Sequence, residues 1–119
     1  MEFDAATPIW MQVATCIKTD IVSQKLMPGA KLPGGRELAL RYTINPNTAA
    51  RVYQELEKEG LVETRRGMGT YVTEAEEHIA MLRKQMAQDA VRAYLGKLAS
   101  LGFSRSEAAN MITQEDTQC

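Results

Sequence analysis

Very little in this sequence is equipped for covalent chemistry. It has two cysteines, Cys16 and the terminal Cys119, and a single histidine, His78. That is too few for a disulfide framework, and no spacing suits a metal. His78 follows Glu76-Glu77 with no second ligand nearby in sequence, so it reads as a solvated residue. No candidate nucleophile comes with a recognisable base, and there is neither a phosphate-binding glycine loop nor a dinucleotide fingerprint. The sequence therefore argues against an enzyme and implies no cofactor. No apolar run approaches the length that spans a bilayer. The opening Met1-Glu2-Phe3-Asp4 is acidic where a secretory signal is basic, so the expected location is the cytoplasm. Internal repeats and low-complexity linkers are lacking too. Net charge is only −1, which excludes a global attraction to a polyanion.

What is present is an ordinary soluble composition, 45% apolar and 24% charged over 119 residues. This suffices for one small domain and an appendage. Charge is unevenly placed. Residues 31–70 hold seven lysines and arginines against five acidic residues, whereas residues 71–119 hold five against seven. A local basic surface inside an acidic protein is compatible with a specific reader of nucleic acid.

Apolar periodicity predicts a mainly helical fold with one small hairpin. A first helix begins at Pro8 with Thr7 as its cap, carries Ile9, Val13, Ile17 and Ile21 on one face, and is ended by Pro28-Gly29. Lys31-Leu32 can form a very short strand. A second helix fits Gly35 to Tyr42, with Leu38, Ala39 and Tyr42 inward. After the tight connection Thr43-Ile44-Asn45, a third helix starts at Pro46, capped by Asn45, and is terminated by Gly60. Its buried stripe is Ala49, Val52, Tyr53 and Leu56. Two β-prone runs, residues 61–64 and Tyr71-Val72, flank Arg65-Arg66-Gly67-Met68-Gly69-Thr70. A capping box from Thr73 to Glu76 opens a long helix that Gly102 ends, and a second box, Ser104 to Glu107, opens a short one carrying Ala108, Met111 and Ile112. From Gln114 the tail is polar and expected to fray. The boundary falls near Thr73, giving an N-terminal domain over residues 1–73 and a helical segment over 74–119.

Three constellations carry function. The second and third helices form a helix–turn–helix, in which the start of the second helix of the pair reaches base edges in the major groove. Asn47 suits adenine, Arg51 suits guanine, and Thr48 suits a base or a phosphate. Arg36 opens the preceding helix, where a side chain and a helix N-terminus can share a phosphate. Glu55, Glu57 and Glu59 crowd the other half of the third helix, so only its first two turns can approach a phosphate without repulsion. The hairpin is the second constellation. Arg65 and Arg66 at its tip form a projecting positive finger suited to a narrow groove, and Gly67 and Gly69 let the backbone approach closely. Third, the stripe Leu82, Met86, Val91, Tyr94, Leu95 and Leu98, joined by Ile112, is too wide for a lone helix in water. It packs on the first domain or on a twin; two helices of about 40 residues have little core of their own, which favours the twin. Its methionines could alternatively line a ligand pocket. Duplex DNA is the leading partner, with an acidic protein as the alternative.

At this point a family resemblance is evident. Pro8-Ile9-Trp10-Met11-Gln12, Leu26-Met27-Pro28-Gly29-Ala30-Lys31-Leu32-Pro33, Arg36-Glu37-Leu38-Ala39, Asn45-Pro46-Asn47-Thr48, Arg51-Val52-Tyr53 and Arg65-Arg66-Gly67-Met68-Gly69-Thr70-Tyr71-Val72 follow one another as in GntR-family transcription regulators. The resemblance covers residues 8–72. The short helical tail, with Leu101-Gly102-Phe103-Ser104, resembles the YtrA subfamily. This implies a winged helix-turn-helix with a C-terminal two-helix dimerisation segment, acting as a homodimeric repressor on a palindromic operator, commonly of an operon encoding an ABC transporter. It implies that Arg36, Asn47, Thr48 and Arg51 meet the major groove and its phosphates, that Arg65, Arg66, Gly67 and Gly69 form the wing at the minor groove, and that Tyr53 reaches a phosphate, although its spacing also suits the core. No effector is implied. One departure is Gly34, followed by Gly35, where the family usually has serine. Glycine caps a helix nearly as well but donates no side-chain hydrogen bond.

Overall fold

The computed structural model describes Phe3 and residues 5–115; Met1, Glu2, Asp4 and the terminal Cys119 lie outside the described residues. Five helices and one hairpin follow in the order α1 (Ile9–Val22), α2 (Gly35–Tyr42), α3 (Pro46–Lys58), β1 (Val62–Arg65), β2 (Gly69–Val72), α4 (Glu76–Ser100) and α5 (Arg105–Gln114). The chain divides into two compact units, Met1–Leu82 and Arg83–Cys119, so α4 starts in one and continues in the other.

In the first unit, α3 is the element around which the others pack. Its stripe Ala49, Val52 and Leu56 is wholly buried, and Tyr53 nearly so. Val13, Ile17 and Ile21 of α1, Leu38 and Ala39 of α2, and Leu61, Val62 and Val72 of the hairpin complete the core. Burying a side chain the size of Leu56 or Val52 stabilises by about 1.5–3 kcal/mol. Asn45 caps α3 as expected, its Oδ1 accepting the Asn47 N–H at 2.7 Å, with Pro46 in the first turn. Gly60, at φ +75, ends it, and the Leu61 N–H returns to the Leu56 carbonyl at 3.0 Å.

Three helix ends differ from expectation. α1 begins at Ile9, with Pro8 rather than Thr7 in the cap position. α1 stops at Val22, well before Pro28-Gly29: Gln24 is left-handed at φ +68, and the Leu26 N–H turns back to the Asp20 carbonyl at 2.9 Å, folding Leu26 against the core. At the start of α4, the Thr73 hydroxyl accepts the Ala75 N–H at 3.1 Å instead of closing a capping box, and the helix begins only at Glu76. Glu76 is then in the first turn rather than three residues into it.

The hairpin pairs Val62 with Val72, Glu63 with Tyr71, Thr64 with Thr70 and Arg65 with Gly69. The short strand expected at Lys31-Leu32 lies along its free edge: the Leu32 N–H donates to the Thr70 carbonyl and the Val72 N–H to the Ala30 carbonyl, both at 2.8 Å.

Ile79 and Leu82 pack against the core of the first unit, although Leu82 was expected in the dimer stripe. In the second unit, Gly102 at φ +92 ends α4, and Ser104 and Glu107 form the expected capping box, with Ser104 N–H to Glu107 Oε1 at 2.9 Å and Glu107 N–H to Ser104 Oγ at 3.1 Å. The hydrogen bonds from Ser104 hold the Glu107 carboxyl below its ordinary pKa. Ala108 is buried, and its carbonyl accepts the Tyr94 hydroxyl at 2.8 Å.

The Tyr53 hydroxyl donates to the Pro33 carbonyl, which ties the segment before α2 onto α3. Burial pushes this phenol up to about 12. The folded state therefore holds the proton longer than the unfolded chain. This contribution is whole below about pH 10 and is lost as pH rises towards about 12. Tyr53→Phe should cost about 1 kcal/mol at neutral pH. Between about pH 9 and about pH 11.5, denaturant melts should show a larger fall in stability for wild type than for Tyr53→Phe; an equal fall would contradict this role.

Candidate nucleic-acid interface

Capping and packing together decide which residues of α3 face outward. With the stripe buried, Asn47 and Arg51 are exposed and Thr48 half-exposed, within the first two turns. Arg36 is exposed on the first turn of α2. Gly34 caps α2 with its carbonyl, which accepts the Leu38 N–H at 2.9 Å. A Cβ at Gly34 would meet nothing within 4 Å, so the departure from serine answers no steric demand. Arg51 has a neighbour that periodicity did not reveal: its guanidinium carbon lies 4.4 Å from the centroid of the Trp10 ring on α1.

The acidic half of α3 is employed in the fold. Glu59 pairs with Lys18 of α1 at 2.9 Å, Glu55 with Lys58 at 3.5 Å, and Glu57 accepts the Thr64 N–H of β1 at 3.2 Å. Glu59 thus fastens the end of α3 to α1 and Glu57 fastens the helix to the hairpin, while the Glu55–Lys58 pair lies within α3; together they leave this end of the helix inhospitable to phosphate.

The hairpin tip differs from a two-arginine finger. β1 extends one residue further than expected, so Arg65 is a strand residue. Its guanidinium bonds Glu63 Oε1 through Nη2 at 2.7 Å and Nε at 3.1 Å, and lies 4.2 Å from the centroid of the Tyr71 ring. Glu63, Arg65 and Tyr71 share one face, as alternate and cross-strand positions do. Hydrogen bonding to Glu63 holds the Arg65 pKa above its ordinary value. Arg66, Gly67 and Met68 form the loop, and all three are exposed. The Met68 N–H returns to the Arg65 carbonyl at 2.8 Å, with Gly67 at φ +75 and Gly69 at φ +119. Arg66 is thus the arginine of the tip. Lys31 joins it: a Cβ on Gly69 would lie 3.0 Å from Lys31 Cε. Sequence reasoning missed Lys31 as a cation of the wing, although its placement in a possible edge strand was the available signal.

Tyr53, expected at a phosphate, is instead buried, with its hydroxyl on Pro33. Its place in the α3 stripe overrides the polar end of the ring. Of the dimerisation residues, Met86, Tyr94, Leu95 and Leu98 are half-buried, while Val91 and Ile112 are 56% and 61% exposed. No residue of α4 is buried. Ala90, Val91, Tyr94, Leu95, Arg105, Ala109 and Ile112 line a groove of about 500 Å³ between α4 and α5. Among the described residues, no cluster suits a metal ion and no helix is long and apolar enough to cross a membrane.

Comparison with known proteins agrees with this geometry. The family described as bacterial regulatory proteins, gntR family, matches residues 11–72. The uncharacterized HTH-type transcriptional regulator YhcF of Bacillus subtilis is 37% identical over 106 residues, covering 89% of this chain and 88% of the relative. The HTH-type transcriptional repressor YtrA of the same organism is 40% identical over 90 residues, covering 71% and 69%. A GntR family transcriptional regulator from Listeria monocytogenes superposes with a TM-score of 0.86 at 32% identity, covering 94% of this chain and 98% of that one. The DNA-binding domain of AraR in complex with operator ORX1 superposes at 0.55 with 28% identity, covering 56% and 81%.

The wing gives its own test. Gly69→Ala places a Cβ against Lys31 in a backbone region that L residues rarely adopt, at a cost of about 1–3 kcal/mol. Amide exchange should accelerate at Leu32 and Val72, whose hydrogen bonds hold the segment around Lys31 to β2. Exchange as slow as in wild type would mean that the tip conformation is not strained by a side chain.

Proposed function

This chain belongs to the GntR family of bacterial DNA-binding transcriptional regulators, and from that premise we propose that it is a homodimeric repressor reading an inverted-repeat operator in the cytoplasm. The observation that carries the reading is the exposed face Asn47, Thr48 and Arg51 at the start of α3, with Arg66 at the tip of the wing in the same compact unit. The face matches what the major groove offers: an amide for adenine, a guanidinium for guanine and a hydroxyl for base or phosphate. Arg36, Lys31 and Arg66 supply positive charge for the backbone, and the wing, with its two glycines, reaches the minor groove. The naming of YtrA as a repressor and the operator complex of AraR support repression through an operator. The resemblance to the YtrA subfamily extends the proposal to an operon encoding an ABC transporter.

The second unit is the proposed dimer seam. Val91 and Ile112 are exposed, and the α4–α5 groove is apolar apart from Arg105. Such a surface on so small a unit gains most by meeting a copy of itself. A two-fold dimer would present its two α3 helices to half-sites about one helical turn, or a multiple of it, apart.

Arg51→Ala should cost about 1–3 kcal/mol on an operator selected from a random pool and relax preference at one base pair per half-site. Arg66→Ala should weaken all duplexes more evenly and reduce the salt slope by about one. Gel shifts across a salt series read both; wild-type affinity for the two variants at moderate salt would sink the assignment. Leu95→Glu places a charge in the seam and should yield monomers at micromolar concentration by sedimentation. A dimer that persists would move the seam elsewhere.

A further inference from the structure

Arg51 stands apart from most arginines of known partner in this protein. Arg41 pairs with Glu37, Arg65 with Glu63 and Arg92 with Asp89, whereas among the described residues no carboxylate forms an ion pair with Arg51. What it meets is an aromatic face. Trp10, half-buried at the edge of the core, presents its ring 4.4 Å from the Arg51 guanidinium carbon.

We propose that Trp10 is a positioning residue for sequence reading: its indole is a shelf on which Arg51 is held, so that the guanidinium edge is aimed into the major groove before DNA arrives. This rests on the reading of Arg51 as a base contact. Two physical arguments carry it. A stacked guanidinium uses its π face, while its five N–H donors lie in its plane, so cation–π contact and a bidentate bond to guanine do not compete. An arginine already confined by a ring also surrenders less rotamer freedom on binding than one waving in solvent. A carboxylate in the place of Trp10 would fix the side chain too, but would neutralise it and occupy the donors that the base needs. The shelf gives α1, which otherwise serves the core, a part in specificity.

The test is a double-mutant cycle, with the intact chain and fluorescently labelled duplexes: a selected operator and a scrambled sequence of the same length. Trp10→Leu should weaken operator binding about two- to fivefold, the value of an exposed cation–π pair, and leave the scrambled duplex within about twofold. In the Arg51→Ala background, Trp10→Leu should add no further loss on the operator. Trp10→Phe, which keeps an aromatic face and most of the packing, should retain most of the affinity. Because Trp10 is the only tryptophan, Arg51→Ala should also shift its emission in the free protein. Equal losses on both duplexes, an undiminished loss in the Arg51→Ala background, tighter binding by Trp10→Leu, or an emission spectrum indifferent to Arg51 would each overturn the proposal. Should wild type itself not distinguish the two duplexes, the base-reading assignment fails first and takes this inference with it. Should Trp10→Leu fail to fold, Trp10→Phe and the emission shift still decide the matter.

Discussion

The fold of the first unit depends on α3 burying one face completely. Ala49, Val52 and Leu56 have no solvent exposure, and α1, α2 and the hairpin each contribute side chains to the core that encloses them. Once that stripe is fixed, the helix cannot rotate without exposing apolar surface, and Asn47 and Arg51 are committed to the outside. The capping of Asn45 sets where the helix starts, and therefore which residues occupy its first turns. Packing thus does the orienting, and the polar residues of the exposed face inherit a geometry they do not themselves create.

Charge then divides the helix lengthwise. Glu59 and Glu57 tie the acidic end to α1 and to the hairpin and Glu55 pairs with Lys58 within the helix, whereas Asn47 and Arg51 at the other end are exposed. The same economy governs the wing. Arg65 is spent on Glu63 and Tyr71, which stiffens the strand, and Arg66 projects beyond it with Lys31 nearby. A polyanion would meet a small number of well-placed cations rather than a broad basic surface, consistent with a net charge of only −1.

Much of this was legible in the sequence, for identifiable reasons. The α3 stripe, the Asn45 cap, the Gly60 and Gly102 stops and the Ser104–Glu107 box follow local rules, in which residue type and spacing suffice. Where tertiary contacts decide, local rules failed. Pro28-Gly29 looked like the end of α1, but the chain had already turned at Gln24 so that Leu26 could reach the core. Thr73 caps a turn two residues away instead of a helix. Two adjacent arginines look alike in a sequence, yet Arg65 is the last residue of β1, with Glu63 and Tyr71 beside it, and Arg66 is the first residue of the loop. The Trp10–Arg51 contact joins helices far apart in the chain, and no periodicity encodes it. Tyr53 satisfied two patterns at once, and its burial settled which one governs.

The central claim is that the first two turns of α3 read bases in the major groove while the wing occupies the neighbouring minor groove. Chemical interference on a duplex selected from a random pool tests it most directly, because methylation marks guanine N7 in the major groove and adenine N3 in the minor groove separately. Interference is expected at major-groove guanines in two half-sites related by a two-fold axis, each flanked by minor-groove interference from the wing. Binding that is indifferent to guanine N7 methylation, or interference confined to the minor groove, would contradict it.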